Sequence, residues 1–145
     1  MDLDTTDLWT CPECGKRFVT KNLAHSCGRH TVEDFMAGKG EMAWSYWNAL
    51  CRMVGTCGPY TVVANKTGIG FMVRVRFAGV RAVSDRGMSL FFWLKQRVDS
   101  PRFRKVEYFG GRDWGYHVRV TSPDELDGEV QRWLCLAYEV GCQRA

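Results

Sequence analysis

The stretch Gly68-Ile69-Gly70-Phe71-Met72-Val73-Arg74-Val75-Arg76-Phe77 decides the fold class. Ile69, Phe71, Val73, Val75 and Phe77 take every second position, with Gly70, Met72, Arg74 and Arg76 between them. Successive side chains of a strand point to opposite faces, so this is the pattern of a strand with one buried face. The same period runs through residues 60–121. Residues 88–94 are apolar at both parities, as a central strand is, and Asp85-Arg86-Gly87 supplies a turn before them. Residues 103–109 and 114–121 give two more strands, joined by Gly110-Gly111-Arg112-Asp113. Connections this short predict an antiparallel meander.

On either side of the strands the period becomes helical. Thr31, with Asp34 three residues on, caps a short turn through Phe35 that Gly38-Lys39-Gly40 breaks. From Glu41 onward, Met42, Ala43, Tyr46, Trp47, Leu50, Met53 and Val54 share one helical face, and Gly55 ends the run. Ser122-Pro123-Asp124-Glu125 reads as a second helix start, with Ser122 as N-cap, Pro123 in the first helical position and Glu125 closing a capping box. Leu126, Val130, Trp133, Leu134 and Ala137 continue it as an apolar stripe to a stop at Gly141. Residues 32–145 are therefore expected to form an α+β domain, an antiparallel sheet of about four to six strands with helices packed on one face.

The whole chain has 145 residues, enough for one core with a small appendage rather than two cores. No apolar run nears the ~20 residues of a membrane helix, so no membrane partner is expected. Residues 1–7 carry three acids and no base, the reverse of a secretory or mitochondrial leader, and this points to a cytoplasmic protein. Without an export signal, seven cysteines argue against a complete disulfide framework. Cys51, Cys57, Cys135 and Cys142 lie in apolar stretches and read as small core hydrophobes or helix-end thiols.

Residues 1–31 carry a different chemistry. Cys11-Pro12-Glu13-Cys14-Gly15 has the form of a zinc knuckle, in which two intervening residues let both sulfurs enter one tetrahedron. His25 and Cys27, at i and i+2 of an extended chain, complete the expected set of Cys11, Cys14, His25 and Cys27; His30, in Cys27-Gly28-Arg29-His30, competes with His25. Four protein ligands leave no open coordination position, so the expected zinc is structural. With few large apolar groups, this segment needs such a cross-link to hold a shape.

The charge is uneven. Residues 61–120 hold 12 Lys+Arg against 4 Asp+Glu, a local +8 inside a chain total of +4. Lys66, Arg74, Arg76, Lys95, Arg97, His117 and Arg119 are the candidate ligand-binding residues on a basic sheet face, with nucleic acid or another polyanion as the expected partner. The plainer alternative is that these are solvated charges that keep sheet edges apart. No aromatic-basic run within one segment and no recognition-helix motif accompanies them. An enzyme would need Lys66, Arg97 and His117 to converge in a pocket; with no Gly-x-Ser-x-Gly, Gly-rich phosphate loop or His-Glu-x-x-His, no catalytic residue is assigned. Gly68 and Gly70 read as turn glycines. A protein-interaction module is the third alternative, and the oligomeric state is left open.

The chain resembles a bacterial family known as domain of unknown function 5655, whose members often begin with a zinc-finger-like segment. The matching stretches are residues 9–18, His25-Ser26-Cys27-Gly28-Arg29, Gly58-Pro59, residues 66–71, Trp93-Leu94-Lys95, Asp99-Ser100-Pro101-Arg102-Phe103, His117 and Ala137-Tyr138. The resemblance implies an uncharacterised α+β domain with no established reaction, and it favours the His25/Cys27 pair.

Overall fold

The computed structural model of the chain describes residues 7–13, 16–19, 30–65 and 67–144. A two-strand hairpin, β1 (Trp9–Thr10) and β2 (Arg17–Phe18), comes first. The helices α1 (Val32–Met36) and α2 (Glu41–Gly55) follow. Next come β3 (Thr61–Asn65), β4 (Gly68–Met72), β5 (Arg76–Ser84), β6 (Gly87–Leu94), β7 (Phe103–Gly110) and β8 (Asp113–Val120). They form one antiparallel sheet in the order β3-β4-β5-β6-β8-β7, and α3 (Gly128–Gly141) closes the chain. No helix among the described residues is long and apolar enough to cross a membrane.

The inward parity of the strands meets the helices. Ile69, Phe71, Val80, Leu90, Phe92, Tyr116 and Val118 share one core cluster with Tyr46, Trp47 and Leu50 of α2 and Trp133, Leu134 and Tyr138 of α3. Both helices contact β5 and β6, so they lie on the same face, as the α+β expectation required. Removing such side chains from water contributes about 1.5–3 kcal/mol each. Thr31 caps α1 as expected, and with Asp34 it forms a capping box with bonds of 3.0 and 3.1 Å. Met42 is exposed and does not share the buried face of α2.

Four expectations change. The stretch 68–77 is two strands, because the chain reverses at Val73-Arg74-Val75. No glycine, proline, asparagine or aspartate makes this turn; the end of α3 does. The Arg74 and Val75 N–H groups both donate to the Gly141 carbonyl, at 2.9 and 3.1 Å. Asp7 accepts two bonds from the Arg74 guanidinium at 2.7 and 2.6 Å, and Gln143 accepts a third at 2.8 Å.

The meander also breaks, since β6 pairs with β8 and leaves β7 at the edge. The crossover between β6 and β7 is fastened from two sides. The Tyr116 hydroxyl donates to the Gln96 carbonyl at 2.8 Å and accepts from the Val98 N–H at 2.7 Å. Arg102 donates to Asp127 at 3.0 Å, to Glu129 at 3.2 Å and to the Glu125 carbonyl at 2.7 Å.

The second helix starts later than expected. Ser122 caps only a single 3-10 turn, and Glu125 turns back to Thr121, accepting from its N–H and its hydroxyl at 3.0 Å. Asp127 is the N-cap of α3, accepting from the Val130 N–H at 3.1 Å. Finally, Cys57 and Cys135 are not separate thiols but a disulfide. α2 and α3 pack side by side, which brings two cysteines 78 residues apart in sequence to a Cα–Cα distance of 5.3 Å. Cys51 and Cys142 are free, and burial pushes both thiols up.

Candidate ligand cleft on the open sheet face

The outward parity of the same strands makes a second face that no helix covers. Register sets it out in rows: Val63 opposite Gly70, Gly70 opposite Gly79, Gly79 opposite Phe91, Phe91 opposite His117, and His117 opposite Lys105. One row along, Trp93 lies opposite Gly115 and Gly115 opposite Glu107. His117 and Arg119 stand on this open face, opposite the buried Tyr116, Val118 and Val120 of β8.

Between β4, β5 and β6 this face sinks into a cleft of about 160 Å³. It is lined by Gly68 and Gly70 of β4, Arg76 and Arg81 of β5, Phe91 and Trp93 of β6, and Asn65 and Thr67 at the β3–β4 turn. Gly68 and Gly70 are therefore strand glycines, not turn glycines. Their reasons differ. A Cβ at Gly79 would run into the Ile69 carbonyl and the Phe91 ring, and one at Gly68 into the Val80 carbonyl. A Cβ at Gly70 would meet nothing closer than 3.7 Å, so at this position glycine keeps the cleft open without being needed for packing.

The charges around the cleft are unevenly committed. The Arg81 guanidinium lies 5.1 Å from the Phe91 ring centroid, a cation–π distance. Neither Arg76 nor Arg81 is in an ion pair with a described residue. The acids of this face are taken: Glu107 by His117 at 2.7 Å, and Asp113 by Lys95. A carboxylate can only accept, so His117 Nε2 is the donating nitrogen. That bond, helped by the charges of Lys105 and Arg81, holds the Glu107 carboxyl below its ordinary value.

Of the residues expected to bind a ligand, the structure brings Arg76 alone into the cleft among those it describes. Lys66 lies outside the described residues. Arg74 is committed to Asp7, and Lys95 to Asp113. Arg97 pairs with Asp99 at 3.0 Å and stacks over Trp114, on the core side of β8, so it does not converge with His117. Arg119 donates to the Ser89 hydroxyl at 3.0 Å, on the open face but outside the cleft. Arg81, Phe91, Trp93 and the Gly70 opening were not foreseen. The signal for them is an interleaving of aromatic and basic residues that runs across neighbouring strands and along none.

The N-terminal hairpin borders this face. Cys11 and Phe18 are buried against Val63 and Met72, with Trp9 beside them. The Cys11 N–H donates to the Lys16 carbonyl at 2.8 Å. Cys14, His25 and Cys27 lie outside the described residues; His30 is half-buried. Among the described residues no three His, Cys, Asp or Glu side chains gather as a metal set.

A family model described as "Domain of unknown function (DUF5655)" matches residues 32–141, which takes in all six strands of the sheet and α3. No curated protein and no solved structure matches the chain.

Proposed function

Because the chain belongs to the DUF5655 family, whose description names no activity, we propose a function from the open face itself: a module that binds single-stranded nucleic acid, with a structural zinc in its N-terminal segment. The observation that carries this reading is the cleft, which is lined by two arginines in no ion pair with a described residue, two aromatic rings and two glycines. Arg76 and Arg81 supply charge for phosphate, while Phe91 and Trp93 supply rings on which a base can stack. Arg119 extends the positive field across the same face, and Lys105 stands 3.9 Å from the Glu107 carboxylate. An open sheet with aromatic residues suits unpaired bases better than a duplex, whose bases are already stacked on each other.

Of the expected zinc ligands, Cys11 alone is among the described residues. Cys11 sits in a closed hairpin turn, and Cys14, His25 and Cys27 would complete a tetrahedral set that holds the hairpin against Val63, directly beside Gly70. The metal supplies a cross-link there and no chemistry. Purified protein is expected to contain about one zinc per chain. Full zinc content in a Cys11→Ser/Cys14→Ser double variant contradicts this.

The test of the main reading is fluorescence anisotropy with mixed-sequence single-stranded DNA and RNA across a salt series. Affinity should fall with salt, by a log–log slope of about −0.7 for each phosphate neutralised. Gly70→Val, whose Cβ would meet nothing closer than 3.7 Å, should narrow the cleft and weaken binding by roughly the 1–3 kcal/mol of one stacked base. Absence of binding at low salt removes the reading. Binding that survives Gly70→Val together with Arg76→Ala and Arg81→Ala moves the site elsewhere.

A further inference from the structure

Among the described strands β7 ends the sheet and pairs with β8 alone, so every second backbone N–H and C=O along its other side points outward. Proteins commonly blunt such an edge with charges and bulges. β7 has register shifts after Phe103 and after Tyr108, yet Lys105-Val106-Glu107-Tyr108 between them is regular, opposite His117, Tyr116, Gly115 and Trp114. This strand also holds three of the seven exposed large apolar residues among those described: Val106 is 39% exposed, Tyr108 58% and Phe109 53%.

We propose that this edge pairs antiparallel with the same edge of a second copy, centred on Val106, joining two sheets into one. The edge is self-complementary about that centre. Lys105 faces the partner's Glu107, Glu107 faces the partner's Lys105, Arg104 faces the partner's Tyr108, and Val106 faces its own counterpart. Opposite charges and cation–aromatic contacts directly across a strand pair are favourable, and like charges there are not.

The register is also selected against its neighbours. A slip of one residue sets the open face of one copy against the helix-covered face of the other, and side-chain parity forbids it. A slip of two in one direction puts Lys105 opposite the partner's Lys105. In the other direction it puts Glu107 opposite the partner's Glu107. Only the register centred on Val106 pairs opposite charges and covers the exposed Val106. The dimer carries both helical layers on one side and both clefts on the other. It stands on the edge alone and does not depend on the ligand reading.

Charge reversal tests it. Sedimentation or light scattering at concentrations up to roughly 100 μM should give wild-type protein a mass near twice the 16.6 kDa of the chain. Lys105→Glu and Glu107→Lys, each alone, set like charges across the pair and should be monomeric. Mixed in equal amounts, they should recover a dimer containing one of each, which also shows that both are folded. Val106→Lys leaves the Glu107–His117 bond alone and should be monomeric too. Wild type that stays monomeric throughout overturns the proposal, and so does a dimer that survives both single reversals or Val106→Lys.

Discussion

Phe91 and Phe92 are neighbours in β6, and they stand on faces with opposite characters. Phe92 stacks on Tyr116 and Trp133, with ring centroids 5.6 and 5.8 Å away, and meets Phe103 edge-on at 6.2 Å. Phe91 meets Trp93 edge-on at 5.1 Å, tilts toward His117 at 6.3 Å and lies under the Arg81 guanidinium. The inner face is closed: among the described residues no charged side chain is buried in it, and no buried side-chain N or O atom lacks a partner. The outer face is aromatic too, but its rings alternate with arginine, lysine and histidine. Aromatic content therefore does not separate core from site in this sheet; the partners of each ring do.

The largest expected effect comes from loosening the layer that closes the inner face. The Cys57–Cys135 bond joins the end of α2 to α3 across a sequence separation of 78, and in the chain-entropy limit a loop of that size stabilises by about 4–5 kcal/mol. Cys57→Ser should lower the unfolding free energy by that order in denaturant titrations, and a reductant should do the same to wild type while leaving the variant unchanged. Equal stability with and without reductant would mean that the bond is not formed in solution. The bond pulls against the cytoplasmic expectation, since such bridges persist mainly in oxidising compartments.

Next in size is the contrast within β6. Phe92→Ala should cost about 3–5 kcal/mol, the usual range for a buried aromatic ring. Phe91→Ala, on a half-buried ring, should cost much less stability while weakening anisotropy-detected binding of single-stranded nucleic acid. Comparable losses of stability from the two variants would erase the distinction between the faces. A stable Phe91→Ala with undiminished binding would leave the faces distinct but take the aromatic wall out of the proposed site.

How much of this could be read from the sequence follows the same division. Parity and helical period are local, so the strand face of β8, the central place of β6, the Thr31 cap of α1 and the helix-covered face were legible. Features made by residues distant in the chain were not. The turn at Val73-Arg74-Val75 looked like mid-strand because its stabilising acceptor, the Gly141 carbonyl, belongs to another element. Cys57 and Cys135 looked like ordinary thiols because nothing near either one points to the other. The cleft was hidden for the same reason: Gly70, Arg76, Arg81, Phe91 and Trp93 come from three strands and spell no motif in sequence. Arg76 was found because it sits in the quoted strand pattern; Arg81 entered only as a unit of net charge.

The smallest expected effect belongs to the outer face and has a pH signature. The hydrogen bond from His117, with the charges of Lys105 and Arg81 beside it, outweighs partial burial and holds the Glu107 carboxyl below its ordinary 4.5. A carboxyl depressed in the folded state contributes its stability above the unfolded value and loses it as pH falls through the folded value. The difference in melting temperature between wild type and Glu107→Gln should therefore shrink as pH falls below about 4.5 and acid protonates the wild-type carboxyl. A difference that stays level well below that point would mean that the bond to His117 does not depend on the charge. The same proton removes the charge that faces the partner's Lys105, so the mass of the proposed dimer should fall within the same window. Loss of mass at higher pH, where Glu107 is still ionised, would assign the acid sensitivity of the edge to another group.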